Sequence, residues 1–379
     1  MTMLSRVMMI AGEASGDLHG AGVVRELKRK RADIEVFGVG GDRMKKEGME
    51  LVFHISSVSF MGFVEVVKHL SVIRKVEREL EGVLDARRPE VVVLIDYPGF
   101  NLRFARKVKA RGIKVLYYIS PQVWAWHKGR VKKMKSLVDR MKVVFPFEVD
   151  LYRREGVNVE FVGHPLVESL GEVRTKEQFL DAYGLVAGKK VLGLFPGSRA
   201  QEIEQILPVM IHAARRVTAM RSVQVAIGVA PNLGAGFVRR FIPPESGITL
   251  VENGTHDLMC HADAAIVTSG TATLETGWFG TPMVVVYKTS PFTFFIGRIL
   301  VDVEHIGLVN IVAGRKLVPE LVQHEMTAEN MVRAIERMLD DADYSAAMRS
   351  DLSIVKSKLG GPGASIRVAD GIIALGEAA

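Results

Sequence analysis

Short apolar runs, each closed by a polar turn and followed by an amphipathic stretch, set the strongest constraint on this chain. The N-terminal half carries RVMMIAG (6–12), IEVFGVG (34–40), VVVLID (91–96), KVLYYIS (114–120), MKVVF (141–145) and VEFVG (159–163). The runs are nearly continuous rather than alternating. A strand with one wet face alternates, whereas a strand covered on both faces does not. Stretches with helical spacing, such as 18–30 and 64–86, lie between them. That order predicts a parallel sheet with helices wound on both faces.

Around Gly163-His164-Pro165 the pattern pauses. It restarts with KVLGLFPGSR (190–199), VQVAIGV (223–229), ITLVE (248–252), AAIVTSG (264–270) and PMVVVYK (282–288). A chain of 379 residues exceeds one ordinary core, so a second α/β unit is expected. From Thr327 the sequence reads as helix to its end, with a break at 360–363. The expected class is α/β: two Rossmann-like doubly wound domains facing a cleft, with C-terminal helices. The divisions expected are 1–165, 166–350 and 351–379, the last a helical segment returning to the first domain or to a partner subunit.

Several classes drop out. The single cysteine, Cys260, excludes an internal disulfide framework. No run of 18 apolar residues occurs, so no membrane-spanning helix is predicted. The opening MTMLSRVMMIAGEASGD has an apolar run too short for a signal peptide and reads as a first strand. The formal charge is +7, but 103–142 alone holds 13 Lys/Arg against Asp139. This segment is either a solvated basic face or a surface for an anionic partner. Without a zinc-finger or RNA-recognition signature, nucleic acid is not the expected partner. Membrane phospholipid or a phosphorylated substrate remains.

Ligands of doubly wound sheets sit beyond the carboxyl ends of the strands, so the turns there should carry the chemistry. AGEASGD (11–17) lacks the GxGxxG spacing, and GVGGDR (38–43) does not complete it, which argues against a dinucleotide enzyme. Glu13 is a candidate for substrate contact, and Asp17 reads as a helix cap. Asp96 ends a buried run just before Tyr97-Pro98-Gly99. A carboxylate there could act as a general base or cap the next helix. In LFPGSR, Gly197 and Ser198 let the backbone approach a ligand, and Arg199 offers a planar fork to a phosphate. Ser269, Gly270, Thr271, Ala272 and Thr273 should form another helix N-terminus suited to an anion. Glu275, in its first turns, could accept hydrogen bonds from a ribose diol. His256, Cys260 and His261 stand close in sequence, but zinc needs three or four oriented ligands and no partner cluster accompanies them. DDAD (340–343) lies between predicted helices and reads as a loop and cap. No metal or other cofactor is expected.

Taken in order, these turns resemble the lipid-A-disaccharide synthase family. The resemblance rests on AGEASGDLHGAG, DYPGFNLRFARK, YYISPQVWAWHKGRVKKM, FVGHPLVE, PGSRAQEI, SGTATLETGWFGTPMVVVYK and NIVAGRKLVPELVQ, spread over most of the chain. Departures are local: His127 stands where arginine is expected, Val309 where proline is usual, and Phe195 where leucine is. The resemblance implies the glycosyltransferase B fold, with acceptor in the N-terminal domain and UDP-sugar in the C-terminal one. It implies transfer of the sugar of UDP-2,3-diacylglucosamine to 2,3-diacylglucosamine 1-phosphate (lipid X) with inversion, giving the β-1,6 disaccharide and UDP. On that reading Asp96 is the base, with Glu13 as a second candidate. Gly197, Ser198, Arg199, the 269–273 turn, Glu275 and Asn310 face the UDP donor.

Both substrates carry acyl chains and phosphate, so the implied place is the cytoplasmic face of the bacterial inner membrane, peripherally bound. VSFMGFVEVVKHLSVIRK (58–75) groups Phe60, Met61, Phe63 and Val64 before a basic flank. Such a stretch can lie in the interface or pack on its own sheet. Arg130, Lys132 and Lys133 would add attraction to anionic lipid. A homodimer is left open. Two other readings are weighed: a soluble UDP-N-acetylglucosamine 2-epimerase of the same fold, and a nucleotide-sugar-binding regulator without turnover.

Overall fold

The computed structural model describes residues 3–57, 70–121, 131–289 and 304–378. The chain divides into two compact units, Met1–Glu168 with Leu359–Ala379, and Ser169–Lys358. These breaks differ from the 350/351 division expected. Residues 351–358 continue the helix Ala342–Leu359, so the return to the first unit comes where that helix ends.

The first unit holds seven strands: β1 Arg6–Ala11, β2 Glu35–Gly40, β3 Glu50–His54, β4 Val91–Ile95, β5 Lys114–Tyr118, β6 Arg140–Val143 and β7 Val159–Phe161. Their order is β3-β2-β1-β4-β5-β6-β7, and every pairing is parallel. β4 is buried along its whole length, as its unbroken VVVLI predicts. The second unit repeats the plan with β8 Lys190–Phe195, β9 Val223–Gly228, β10 Thr249–Val251, β11 Ala264–Thr268, β12 Met283–Tyr287 and β13 Glu320–Val322. Its order is β10-β9-β8-β11-β12-β13, again parallel.

Strands β3 and β13 are the two that the apolar runs do not announce. Both lie at sheet edges and are only half-buried, so neither needs a continuous apolar run. In each unit the strand order reverses once, between β1 and β4 and between β8 and β11. Crevices open at such reversals, beyond the carboxyl ends of the strands. The turns after β1 and β4 carry Glu13 and Asp96, and those after β8 and β11 carry Arg199 and Ser269.

The last helix, Ala364–Glu377, packs on the helix Ala14–Lys30 and on β4, β5 and β6 of the first unit. Glu168 fixes its start. The Glu168 carboxylate accepts from the backbone N–H of Gly363 (3.0 Å) and Ser365 (2.9 Å) and from the Ser365 hydroxyl (2.5 Å). These satisfy donors that a helix N-terminus otherwise leaves open. Glu168→Ala should therefore lower the unfolding free energy by about 1–3 kcal/mol, as a lost charge-assisted cap does. Urea denaturation measures this, and an unchanged midpoint would contradict it.

Part of the basic segment 103–142 is matched in space. Glu77, Glu81 and Asp85 stand four apart on the helix Leu70–Arg87, and Arg103, Lys107 and Arg111 continue the same spacing on the opposite side. Arg103 pairs with Glu77 (3.1 Å), Lys107 with Glu77 and Glu81, and Arg111 with Glu81 (3.3 Å) and Asp85 (2.7 Å). Lys109 is held by Asp139 and Lys142 by Glu160. For Arg103, Lys107, Lys109, Arg111 and Lys142 the charge read along the chain is therefore offset locally.

Candidate functional site

In the first unit, β4 delivers Asp96 at the strand mouth. Asp96 and Tyr97 both have left-handed backbone, with φ of +46° and +45°. Such a conformation strains residues with a Cβ and persists only where surroundings enforce it. Here they do. The Asp96 carbonyl accepts from Tyr117 Oη (2.5 Å) and Asn101 Nδ2 (2.8 Å), and its N–H donates to the Tyr118 carbonyl (3.0 Å). Pro98 then opens the helix Pro98–Ala110 at a position that suits proline.

The main chain is thus anchored by these bonds. Burial pushes the Asp96 carboxyl up to about 6, the Glu13 carboxylate adds to this, and the Tyr97 backbone works against both. Glu13 ends the β1 turn as the residue before the helix Ala14–Lys30, and its side chain does not cap that helix. The Tyr97 ring covers Gly12 so closely that a Cβ there would sit 2.3 Å from it. Only glycine lets the β1 and β4 turns meet in this way.

Asp17 is a cap, but of a different helix from its own. It is buried, and its carboxylate accepts from the N–H groups of Gly41 (2.7 Å), Arg43 (3.2 Å) and Met44 (3.1 Å) at the start of the helix Asp42–Lys46. That leaves Glu13, not Asp17, beside Asp96.

In the second unit two turns lie at the reversal between β8 and β11. Gly197 has φ +105°, and a Cβ there would meet Glu202 at 2.6 Å. Ser198 is exposed, with its carbonyl held by Asn232 Nδ2. Arg199 precedes the helix Ala200–Met220, is 64% exposed, and pairs with Glu202 at 2.8 Å. Across the reversal, Ser269 and Gly270 lead into the helix Thr271–Trp278. The first amides of that helix have no intrahelical acceptor.

The hydroxyls are disposed differently from the sequence expectation. Ser269 Oγ donates to the Ile306 carbonyl (2.9 Å), and Thr273 is fully buried, donating to the Gly270 carbonyl and accepting from the Val309 N–H. Thr271 remains exposed and Ala272 half-buried. Asn310 likewise serves the fold. Its amide donates to the Val318 carbonyl and Glu320, and its carbonyl accepts from the Leu317 and Val318 N–H groups. That fills the side chain's hydrogen-bonding capacity. Thr268, unremarked in the sequence, ends β11 with a buried hydroxyl lacking a partner among the described residues.

Glu275 is half-buried, one turn beyond Thr271, and lies 3.8 Å from His256 Nε2. His256, one of the three residues with metal-like spacing in the sequence, thus lies beside Glu275. His261 bonds the Arg174 carbonyl. Among the described residues no three His, Cys, Asp or Glu side chains come together as a metal set. In the 340–343 turn, Asp340 pairs with Arg221 and Asp341 caps the following helix through the Tyr344 N–H. Phe60, Met61, Phe63, Val64 and Arg130 lie outside the described residues. Lys132 and Lys133 are exposed on the helix Val131–Leu137. Among the described residues no helix is long and apolar enough to cross a membrane.

The family model described as lipid-A-disaccharide synthetase matches residues 7–359. The lipid-A-disaccharide synthase of Geobacter sulfurreducens is 45% identical over 366 residues, covering 96% of this chain and 95% of its own. That of Myxococcus xanthus is 41% identical over 379 residues, covering 99% and 98%. Among solved structures, a putative UDP-N-acetylglucosamine 2-epimerase from Listeria monocytogenes superposes with a TM-score of 0.65 at 14% identity, covering 99% of this chain and 97% of its own. A calicheamicin glycosyltransferase gives 0.62 at 17% identity, covering 99% and 98%. At such identities the likeness speaks for the fold alone, which epimerases and transferases share.

Proposed function

This chain belongs to the lipid-A-disaccharide synthetase family, and we propose how its two units divide that family's reaction. The activity is that of a glycosyltransferase of lipid A biosynthesis. UDP-2,3-diacylglucosamine gives its sugar to 2,3-diacylglucosamine 1-phosphate, and the products are the β-1,6-linked disaccharide 1-phosphate and UDP.

In the proposed step, the Asp96 carboxylate takes the proton of the acceptor's 6-hydroxyl. The hydroxyl oxygen forms a bond to the anomeric carbon as the bond to the UDP β-phosphate oxygen breaks. The electron pair leaves with UDP, and one such displacement inverts the centre. The observation that carries this reading is Asp96 itself: a carboxylate at a sheet reversal, with anchored main chain and a carboxyl raised to about 6. A base with its pKa near neutrality combines ionisation with basicity. Glu13 keeps that carboxyl raised and stands by as a second acceptor contact. The Gly197–Arg199 turn and the amides of Thr271 and Ala272 take the diphosphate, and Glu275 takes the ribose. The test is UDP release by the purified protein with both lipids present, with the disaccharide identified by mass. UDP-N-acetylglucosamine turned over without acceptor would favour epimerase chemistry instead.

The first unit is the acceptor side in this reading, and the enzyme works peripherally on the cytoplasmic face of the inner membrane. Exposed Lys132 and Lys133 support it, since acyl-chain substrates are reached only at a lipid surface. Replacing both with Gln should weaken binding to anionic vesicles by about 1 kcal/mol per charge at low salt. The difference should fade as salt shortens the screening length. Co-sedimentation over a salt series measures this, and a salt-independent difference would contradict it.

A further inference from the structure

His256 sits in the helix Thr255–His261, with one ring nitrogen hydrogen-bonded and the other facing a carboxylate. Its Nδ1 is 3.2 Å from the Leu170 carbonyl oxygen, and its Nε2 is 3.8 Å from Glu275 Oε1. A carbonyl only accepts, so Nδ1 carries a hydrogen. In the neutral ring Nε2 then turns a lone pair toward a carboxylate, and two acceptors face each other. In the imidazolium both nitrogens donate, and the arrangement becomes complementary. The Phe279 ring, 6.2 Å away, borders the pair.

We propose that His256 is a positioning residue for Glu275. As imidazolium it holds the Glu275 carboxylate where it accepts from the ribose diol, so that nucleotide affinity follows the protonation of His256. The proposal rests on the reading of Glu275 as the ribose contact. Among the groups around it, Glu275 acts most strongly on His256. Asp257 on the same helix pairs with the Arg174 guanidinium at 2.7 Å, and its charge adds a smaller raising effect. Cys260, one turn on, is half-buried with its thiol pushed up by burial. From the segment before the helix Lys176–Ala182 come Arg174 and the Leu170 carbonyl, and from the helix Thr271–Trp278 comes Glu275. Strands β8 and β9 beneath bring one charged residue, Lys190, which donates to the Leu339 carbonyl. The His256 pKa is raised, chiefly by the Glu275 carboxylate beside it, with burial acting against it. The imidazolium is therefore favoured at mildly acid pH and is lost as pH rises through that raised value.

Calorimetric titration with UDP between pH 5.5 and 8.5 tests this with His256→Gln, His256→Arg, Glu275→Gln and the double Gln variant. The terminal phosphate of UDP itself titrates near about 6, so the readout is the difference between variants at each pH. His256→Gln should weaken UDP about threefold to fivefold at the acid end, the range of a partly exposed charge pair, and not at all at the alkaline end. His256→Arg should keep the affinity and lose the pH dependence. The His256 effect should vanish in the Glu275→Gln background. A His256→Gln deficit equal at all pH values, or undiminished without Glu275, would overturn the proposal. If Glu275→Gln weakens UDP while His256→Gln does not, His256 alone is misassigned. If Glu275→Gln leaves UDP affinity unchanged, the ribose reading falls and takes this proposal with it.

Discussion

Asp96→Asn should give a folded protein that turns over at least about 100-fold more slowly than the wild type. The amide matches the carboxylate in shape but cannot take the acceptor proton. Asparagine also tolerates left-handed backbone, so the +46° φ at this position is kept. The bonds that hold this turn run through the Asp96 main chain to Tyr117, Tyr118 and Asn101, and the substitution leaves them in place. Two further readouts separate a lost base from general damage. In the wild type, kcat/KM should fall about tenfold per pH unit below about 6, where Asp96 becomes protonated. The stability effect has the opposite sense. The Asp96 carboxyl is raised in the fold, so the folded state holds its proton more tightly than the unfolded chain. Stability from this group is fully present below the unfolded value and is lost as pH rises through about 6. Ionised Asp96 then costs up to about 3 kcal/mol at pH 8. The Asn variant should accordingly unfold at higher urea than the wild type at pH 8, and show little such gain at pH 4. Unimpaired turnover would remove Asp96 as the base and leave Glu13 to be tried.

The sheets were legible because parallel strands buried on both faces must be apolar throughout, and VVVLI and AAIVT can be little else. β3 and β13 were not, since an edge strand needs only one covered side. The positions of Glu13, Asp96, Arg199 and Ser269 followed from the same logic, as residues after strands. Their separate tasks did not. Nothing in SGTAT distinguishes a hydroxyl offered to a ligand from one folded back on the chain, and Ser269 and Thr273 are of the second kind. Asn310 sits in a matching motif, yet its amide is spent on Leu317, Val318 and Glu320. Part of the charge of 103–142 is compensated for a geometric reason that the linear sequence hides. Its partners, Glu77, Glu81 and Asp85, precede it by about one helix and one strand in sequence, and they meet it only when the sheet forms. Linear net charge measures a field only where the compensating charges are nearby in the chain.

Arg199→Ala should lower kcat about 100-fold and weaken UDP binding as well, on the scale of a lost preorganised donor at a developing charge. The guanidinium is 64% exposed and rests against Glu202 at 2.8 Å, three residues along the same helix. An exposed pair of that kind is worth about 1 kcal/mol or less. A diphosphate offers more charge and two coplanar oxygens to the same fork, so exchanging Glu202 for the diphosphate is favourable. Glycine at 197 lets the Glu202 carboxylate approach the turn, which aims the arginine before any ligand arrives. Charge on the leaving diphosphate grows as the glycosidic bond breaks. The arginine therefore stabilises the transition state more than the ground state, and its loss must lower kcat and not only affinity. Arg199→Lys separates the contributions: it keeps the charge but not the fork, and should fall between wild type and alanine. Calorimetry with UDP and single-turnover kinetics with both lipids measure the two effects independently. An alanine variant with weakened UDP binding but wild-type kcat would confine Arg199 to ground-state binding. One with both unchanged would move the diphosphate away from this turn altogether, to the amides that begin at Thr271.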